Sequence, residues 1–292
     1  MIPLCANISM LYNEVDFLQR YALAAEDGFS GVECLFPYAY SAAEVNAVRA
    51  DAGIPQVLFN TSAGDWQAGE RGMACHPDKG ADFRASVLQA LHYAKVMGTT
   101  LIHAMAGLVP PELDQVEAEQ VYVENLSWAA KEASKAGVVL TIEAINPIDM
   151  PGYMLTTQEQ AVDLLARIGA DNVKLQFDFF HCQKYQGDSL QRFTNVMAQV
   201  AHIQIAGVPQ RHEPDTGDFD YQLVFAQLQR QGYGGFVGCE YRPAGTTRQG
   251  LSWRESIIQW LFITSYQEQG CIYDTCYCIS QKSGYWFSGA QL

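Results

Sequence analysis

The chain alternates short apolar runs with longer amphipathic segments. The first run is Pro3 to Ile8, and helical spacing follows from about Glu14 to Glu26. The second is Gly31 to Phe36, then a helix from Ala42 to Ala52. The third is Ile54 to Phe59, followed by a glycine-bearing loop from Thr61 to His76 and a helix from about Asp78 to Met97. Thr100 to Ala104 and Val138 to Ala144 are the next runs, with a helix from about Gln115 to Lys135 between them. Helical Thr157 to Ile168 leads to Val173 to Phe177, and Ser189 to Ala198 leads to Ala201 to Ala206. Tyr221 to Gln231 leads to Phe236 to Cys239, and a last helix starts near Trp253. Short continuous apolar runs are what strands covered on both faces look like. Gly28, Gly53, Gly98 and Gly137 stand where helices should stop, as glycine C-caps do.

Regular β-α alternation predicts a parallel sheet. Eight such units in residues 1–260 predict an α/β fold, a single-domain (β/α)8 TIM barrel. An open dinucleotide-binding sheet is the rival architecture. The densest glycine cluster, Gly232 to Gly238, lacks the required spacing and precedes a strand instead of following one. Residues 261–292 are aromatic and cysteine-rich without a clear period, which predicts an atypical C-terminal tail outside the barrel.

Composition narrows the function classes. Apolar residues make up 49% and aromatic residues 12%, too many for a disordered chain. Lys and Arg number 18 against 32 Asp and Glu, a net charge of −14 that opposes a nucleic-acid partner. No apolar run approaches the roughly 20 residues that span a bilayer. The N-terminus lacks a basic leader, so a cytoplasmic protein without a membrane partner is expected. The eight cysteines are scattered, and several lie in apolar runs, so buried free thiols are expected instead of a disulfide framework.

In a barrel of this kind chemistry sits at the carboxyl ends of the strands. The polar residues there are Asn7, Glu33, Asn60, His103, Glu143, Asp178, Gln204 and Glu240. Each has a bland reading, as a helix N-cap or a hydrogen-bonded core group. As a set they say more. Glu143, Asp178 and Glu240 converge, and three carboxylates in one place cannot all stay ionised without a cation. With Gln204 as a neutral fourth ligand, the oxygen donors suit Mg2+ or Mn2+ better than Zn2+. His181 follows Asp178 by three residues and is expected to face the site from a loop after the sixth strand. Arg211 could clamp an anionic substrate with its guanidinium fork, or be a solvated loop charge. The loop Ala63 to Gly72, with Trp66 and Arg71, is long for its place, as functional lids often are.

These residues carry a resemblance. Ala6-Asn7-Ile8-Ser9-Met10, Gly31-Val32-Glu33 with Phe36-Pro37-Tyr38, and Ala63-Gly64-Asp65-Trp66 with Gly69-Glu70-Arg71-Gly72 are similar to the hydroxypyruvate isomerase family of the xylose isomerase-like TIM barrels. So are Val123-Glu124-Asn125-Leu126, Ile142-Glu143-Ala144-Ile145-Asn146, Asp178 with His181, His202-Ile203-Gln204-Ile205-Ala206 and Gly238-Cys239-Glu240-Tyr241. The match covers residues 1–258, departing where Ala144 and Arg242 replace the family's frequent Pro and Lys. The resemblance implies interconversion of hydroxypyruvate and tartronate semialdehyde through a metal-stabilised enediolate. It implies Glu143 and Glu240 as the acid/base pair, and both with Asp178 and Gln204 as metal ligands. It also matches His181 and Arg211 to substrate-contacting positions, and His103, Arg71, Trp66 and Asn7, from the strand ends and the long loop, complete the substrate-binding candidates. The alternatives are an isomerase or epimerase of a four-carbon oxo-acid or a ketose, and a non-catalytic barrel that binds sugar acids. A phosphodiester-cleaving zinc barrel would need more His ligands than the six His here readily supply. The partner expected is a small oxo-acid, and association into a homo-oligomer is left open.

Overall fold

The apolar runs become strands that close on themselves in chain order. A computed structural model describes residues 2–257. Strands β1 (Leu4–Asn7), β2 (Gly31–Cys34), β3 (Gln56–Asn60), β4 (Leu101–His103), β5 (Val139–Glu143), β6 (Val173–Asp178), β7 (Val200–Ile205) and β8 (Val237–Cys239) form one closed barrel. Every pairing is parallel, and β8 returns to β1. The helices between them are α1 (Arg20–Glu26), α2 (Ala42–Asp51), α3 (Gly80–Met97), α4 (Gln115–Lys135), α5 (Gln158–Ile168), α6 (Phe179–Tyr185), α7 (Ser189–Val196) and α8 (Tyr221–Arg230). This is the (β/α)8 fold expected from the alternation.

Local signals explain where the helices begin and end. Ser41 with Glu44, and Asp114 with Glu117, form capping boxes at the starts of α2 and α4. The four glycines expected to end helices all take positive φ. At Gly98 the left-handed C-cap turns its N–H back to the Ala94 carbonyl, a conformation that a Cβ would strain.

Two expected boundaries differ. The first helix does not begin at Glu14: a 3-10 turn at Phe17–Gln19 precedes α1. The Arg20 guanidinium donates to Val15 O, Ile8 O and Asn13 Oδ1, and these bonds hold the preceding loop in a non-helical course. The segment after β6 is no loop. Asp178 ends the strand and caps α6, its Oδ1 accepting from Phe180 N–H at 2.7 Å and His181 N–H at 3.3 Å. His181 therefore stands on the first turn of a helix. Seven residues are too few to display a helical period in the sequence.

The loop from Thr61 to His76 is tied down over the end of β4. Gly72 N–H bonds to Ala63 O at 3.0 Å, and Cys75 N–H to Ala106 O at 2.9 Å. Gly72 has φ +128°, and a Cβ there would lie 2.7 Å from Gly107 N and Met105 O, so only glycine permits this approach. Glu70 anchors the tip by accepting from Asp65 N–H and pairing with Lys79.

Cys5, Cys34, Cys75, Cys182 and Cys239 are free and buried, as expected. Among the described residues no helix is long and apolar enough to cross a membrane. Residues 1–251 form one unit and 252–292 a second, helical from Trp253 as far as it is described. The tail expected at 261–292 lies outside the described residues.

Candidate active site

Alternation along a strand turns residues two apart to the same face. In this barrel the inward positions near the carboxyl ends are polar: Asn7, Glu33, His103, Glu143, Gln176, Asp178, Gln204 and Glu240 are all buried. They lie at or near the floor of a cavity of about 490 Å³ lined also by Trp66, Arg71, Asp149, His181, Lys184, Arg211 and Arg242. That volume is in the range usual for small-molecule sites.

Glu143 closes β5. Its Oε2 accepts from Gln176 Nε2 at 3.0 Å, and its Oε1 is buried without a hydrogen-bond partner. Burial, and then the charges of Glu240 and Asp178, push this carboxyl well above the usual carboxylate range. Glu240 follows β8. Its Oε1 accepts from Asn7 Nδ2 at 3.1 Å and its Oε2 from Arg211 Nη2 at 2.7 Å. Burial raises it to about 8 even with the Arg211 guanidinium beside it. Asp178 is raised as well, by burial against the pull of Arg211.

Glu143, Asp178 and His181 offer ligand atoms within 4.8 Å of one another. The hydrogen-bond network decides what His181 does there. Asn146 is oriented by Asp149, its Nδ2 donating to Asp149 Oδ2 and its Oδ1 accepting from Asp149 N–H. That same Nδ2 lies 2.6 Å from His181 Nδ1, which must accept. The ring proton is then assigned to Nε2, which faces Asp178 Oδ2 at 3.6 Å and Glu143 Oε1 at 3.8 Å. Burial, with Arg211 and Lys184 nearby, keeps this imidazole far below its ordinary pKa. His181 is thus a neutral donor aimed at the carboxylates, and the oxygens are left as the metal donors. The unpartnered Glu143 Oε1 and the three carboxylates set beside the Arg211 guanidinium fit a hard divalent cation.

The other expected residues are placed as follows. His103 has both ring nitrogens buried and unpartnered, with Nδ1 3.5 Å from Glu143 Oε2. Burial lowers its pKa to about 3. Gln204 donates to Glu33 Oε1 at 2.8 Å and accepts from Gln176 at 2.7 Å. Arg211 adopts a left-handed φ of 62° and spends its guanidinium on Glu240 and Asp178. On the rim, the Arg71 guanidinium stacks 3.9 Å from the centre of the Trp66 ring. It donates to the carbonyls of Trp66 and Glu70 and meets no protein carboxylate among the described residues.

Gln176 and Lys184 escaped the sequence reading, and Glu33, Asn146 and His202 stood in it without a role. Gln176 left a signal: it is polar inside an apolar strand and shares its parity with Asp178. Lys184 left none, because only the closed fold brings it to the rim.

The sequence matches the xylose isomerase-like TIM barrel family over residues 21–257. A Cupriavidus necator protein named 2-oxo-tetronate isomerase is 50% identical over 249 residues, 85% of this chain and 95% of that one. An Escherichia coli protein named hydroxypyruvate isomerase is 40% identical over 255 residues, 87% of this chain and 99% of that one. A solved structure described as AP endonuclease, family 2, from Brucella melitensis has a TM-score of 0.85 and 42% identity, covering 88% of this chain and 99% of that one. The resemblance read from the sequence is borne out by these relatives.

Proposed function

The chain belongs to the xylose isomerase-like TIM barrel family, and from that premise we propose that it is an isomerase of short 3-hydroxy-2-oxo acids. The product is the corresponding 2-hydroxy-3-oxo acid. Hydroxypyruvate, giving tartronate semialdehyde, is the three-carbon case. A 2-oxo-tetronate carries one more CH2OH, on C3. The relative named for the four-carbon acid is the more similar of the two, and the cavity leaves room for the extra group, so that substrate is favoured. The observation that carries the reading is one cavity with two buried glutamates, Glu143 and Glu240, both pushed above the usual carboxylate range by burial. A phosphodiester-cleaving reading finds no support in a carboxylate-floored cavity on a chain of net charge −14.

The reaction moves a carbon-bound proton from C3 to C2 and a hydroxyl proton from O3 to O2. One glutamate, ionised, takes the C3 proton and leaves an enediolate. The other, protonated, gives a proton to C2. β6 and β7 separate β5 from β8 around the ring, so the two carboxyls reach the substrate from different sides. A divalent cation, Mg2+ or Mn2+, held by Glu143, Asp178, Gln204 and Glu240 would polarise the carbonyl and acidify the neighbouring C–H. His181 Nε2–H and the single ring N–H of the neutral His103 donate to the substrate oxygens, and the other His103 nitrogen accepts from a substrate hydroxyl. Arg211 and Asn7 hold Glu240 in place.

Arg71 receives the substrate carboxylate in this reading, since its charge meets only backbone carbonyls and the Trp66 ring. A hydrogen-bonded charge contact is worth about 1.5–3 kcal/mol, so Arg71→Ala is expected to raise KM roughly 10- to 100-fold with kcat within about threefold. Steady-state kinetics check this, and an unchanged KM would hand the carboxylate to Lys184 or Arg242.

The reading as a whole is tested by incubating the purified protein with hydroxypyruvate and with 2-oxo-tetronate in D2O. Proton NMR is expected to show turnover, with solvent deuterium on the new C–H. No turnover on either acid refutes the reading. Turnover without deuterium replaces proton transfer by a hydride shift.

A further inference from the structure

Glu33 is a carboxylate that the mechanism above does not use. It is fully buried and does not line the cavity. Its Oε1 accepts from Asn7 Nδ2 at 3.0 Å and Gln204 Nε2 at 2.8 Å. Its Oε2 accepts from His202 Nε2 at 2.6 Å and Cys5 Sγ at 3.3 Å. Two carboxylate oxygens have about four lone-pair sites, so these donors saturate the group. Cys5, Glu33 and His202 are spaced closely enough for a metal, yet every lone pair of Glu33 is already engaged. β8 makes room for the carboxylate with Gly238, where a Cβ would collide with Glu33 Oε2.

Two arms leave this hub. Asn7 Nδ2 also donates to Glu240 Oε1 at 3.1 Å. Gln204, with its NH2 turned to Glu33, presents Oε1 to Gln176 Nε2 at 2.7 Å. Gln176 then donates its second N–H to Glu143 Oε2 at 3.0 Å, and Thr141 Oγ1 donates to its carbonyl at 3.0 Å. A side-chain amide can be turned either way, because it carries both a donor and an acceptor. An ionised carboxylate only accepts, so both amides touching it must turn their NH2 groups inward.

We infer that Glu33 is a positioning residue whose acceptor-only carboxylate sets the polarity of the Asn7, Gln204 and Gln176 amides, so that Glu240 and Glu143 each receive an N–H. The inference rests on the acid/base reading of Glu143 and Glu240. Exchange of Glu33 for a glutamine would put a donor and an acceptor at the hub, and one arm or both could then reverse. A reversed arm turns a carbonyl toward a carboxyl and disturbs its orientation, although the exchanged residue, Glu33, is not part of the cavity wall.

The test is Glu33→Gln, made in the native chain and in an Asn7→Leu/Gln176→Leu background. Losing such a supporting partner costs about 10- to 100-fold, so in the native chain kcat is expected to fall by that factor with KM within about threefold. With both arms already removed, the same change is expected to cost less than about threefold, since residues of one network do not act additively. A native-chain kcat within about threefold of normal overturns the inference. An equal loss in both backgrounds does so too, because it would mark a general structural effect. If Glu33→Gln does not fold, Gly238→Ala displaces the carboxylate while keeping its charge. A fall in its kcat at constant KM then supports the inference, and an unchanged kcat overturns it. Glu143→Gln and Glu240→Gln are measured alongside. If both remain active, the acid/base reading itself has failed. If they are inactive while Glu33→Gln is fully active, only the positioning role falls.

Discussion

Glu143→Gln and Glu240→Gln are each expected to lower kcat by about 10³- to 10⁴-fold, the upper part of the range for general acid–base catalysis. The exchange keeps the shape of the side chain and removes its ability to gain and lose a proton. Folding is expected to survive. Both carboxyls are raised, so the folded state binds protons that the unfolded chain releases. For Glu240 that contribution to stability is full below its ordinary value, near 4.5, and is lost as pH rises through about 8. A neutral amide is not subject to that loss. At pH 7 to 8, without added metal, the thermal midpoint of Glu143→Gln is therefore expected to equal or exceed that of the unaltered protein. Glu240→Gln also weakens the contact with Arg211, and its midpoint is expected to gain less. Kinetics and thermal melts on the same preparations check both halves. Near-normal turnover in both variants would remove the glutamates from the mechanism.

Chelation is expected to have the second-largest effect. EDTA should lower turnover by about 10²- to 10³-fold, and Mg2+ or Mn2+ should restore it, because a Lewis acid at such a site contributes several kcal/mol. The buried carboxylates must shed protons to bind a cation. Apparent metal affinity is accordingly expected to rise with pH up to about 8, where Glu240 loses its proton. Calorimetric titration in buffers of different ionisation enthalpy reads the released protons directly. Turnover unmoved by EDTA would leave the glutamates in place and assign the polarising role to the neutral His103 and His181.

Much of the site was legible in one dimension because a barrel brings the carboxyl end of every strand to one rim. Glu143 and Asp178 close their apolar runs, and Glu240 follows the last of them, so their convergence needs only the alternation of strands and helices. Reading strand ends alone overlooks the residue two positions earlier, which shares the same inward face. Gln176 is hidden in this way. Arg211 is a different case. The sequence offers it as a clamp for a substrate anion, and the fold gives it two protein carboxylates as partners. Nothing local distinguishes a loop arginine that meets a ligand from one that holds a neighbour.

By itself the sequence determined the eight strands, most helix boundaries, the closed parallel architecture and the group of carboxylates at its rim. Those features depend on hydrophobic period, caps and strand ends, which are short-range and written in consecutive residues. Only the tertiary structure decided which protons sit where. The neutral Nε2–H form of His181, the raised carboxyls and the amide polarity around Glu33 arise from burial and from partners as far apart as Glu33 and His202. Hydrogen-bond direction and desolvation belong to the assembled interior, where each group answers to neighbours from several strands at once.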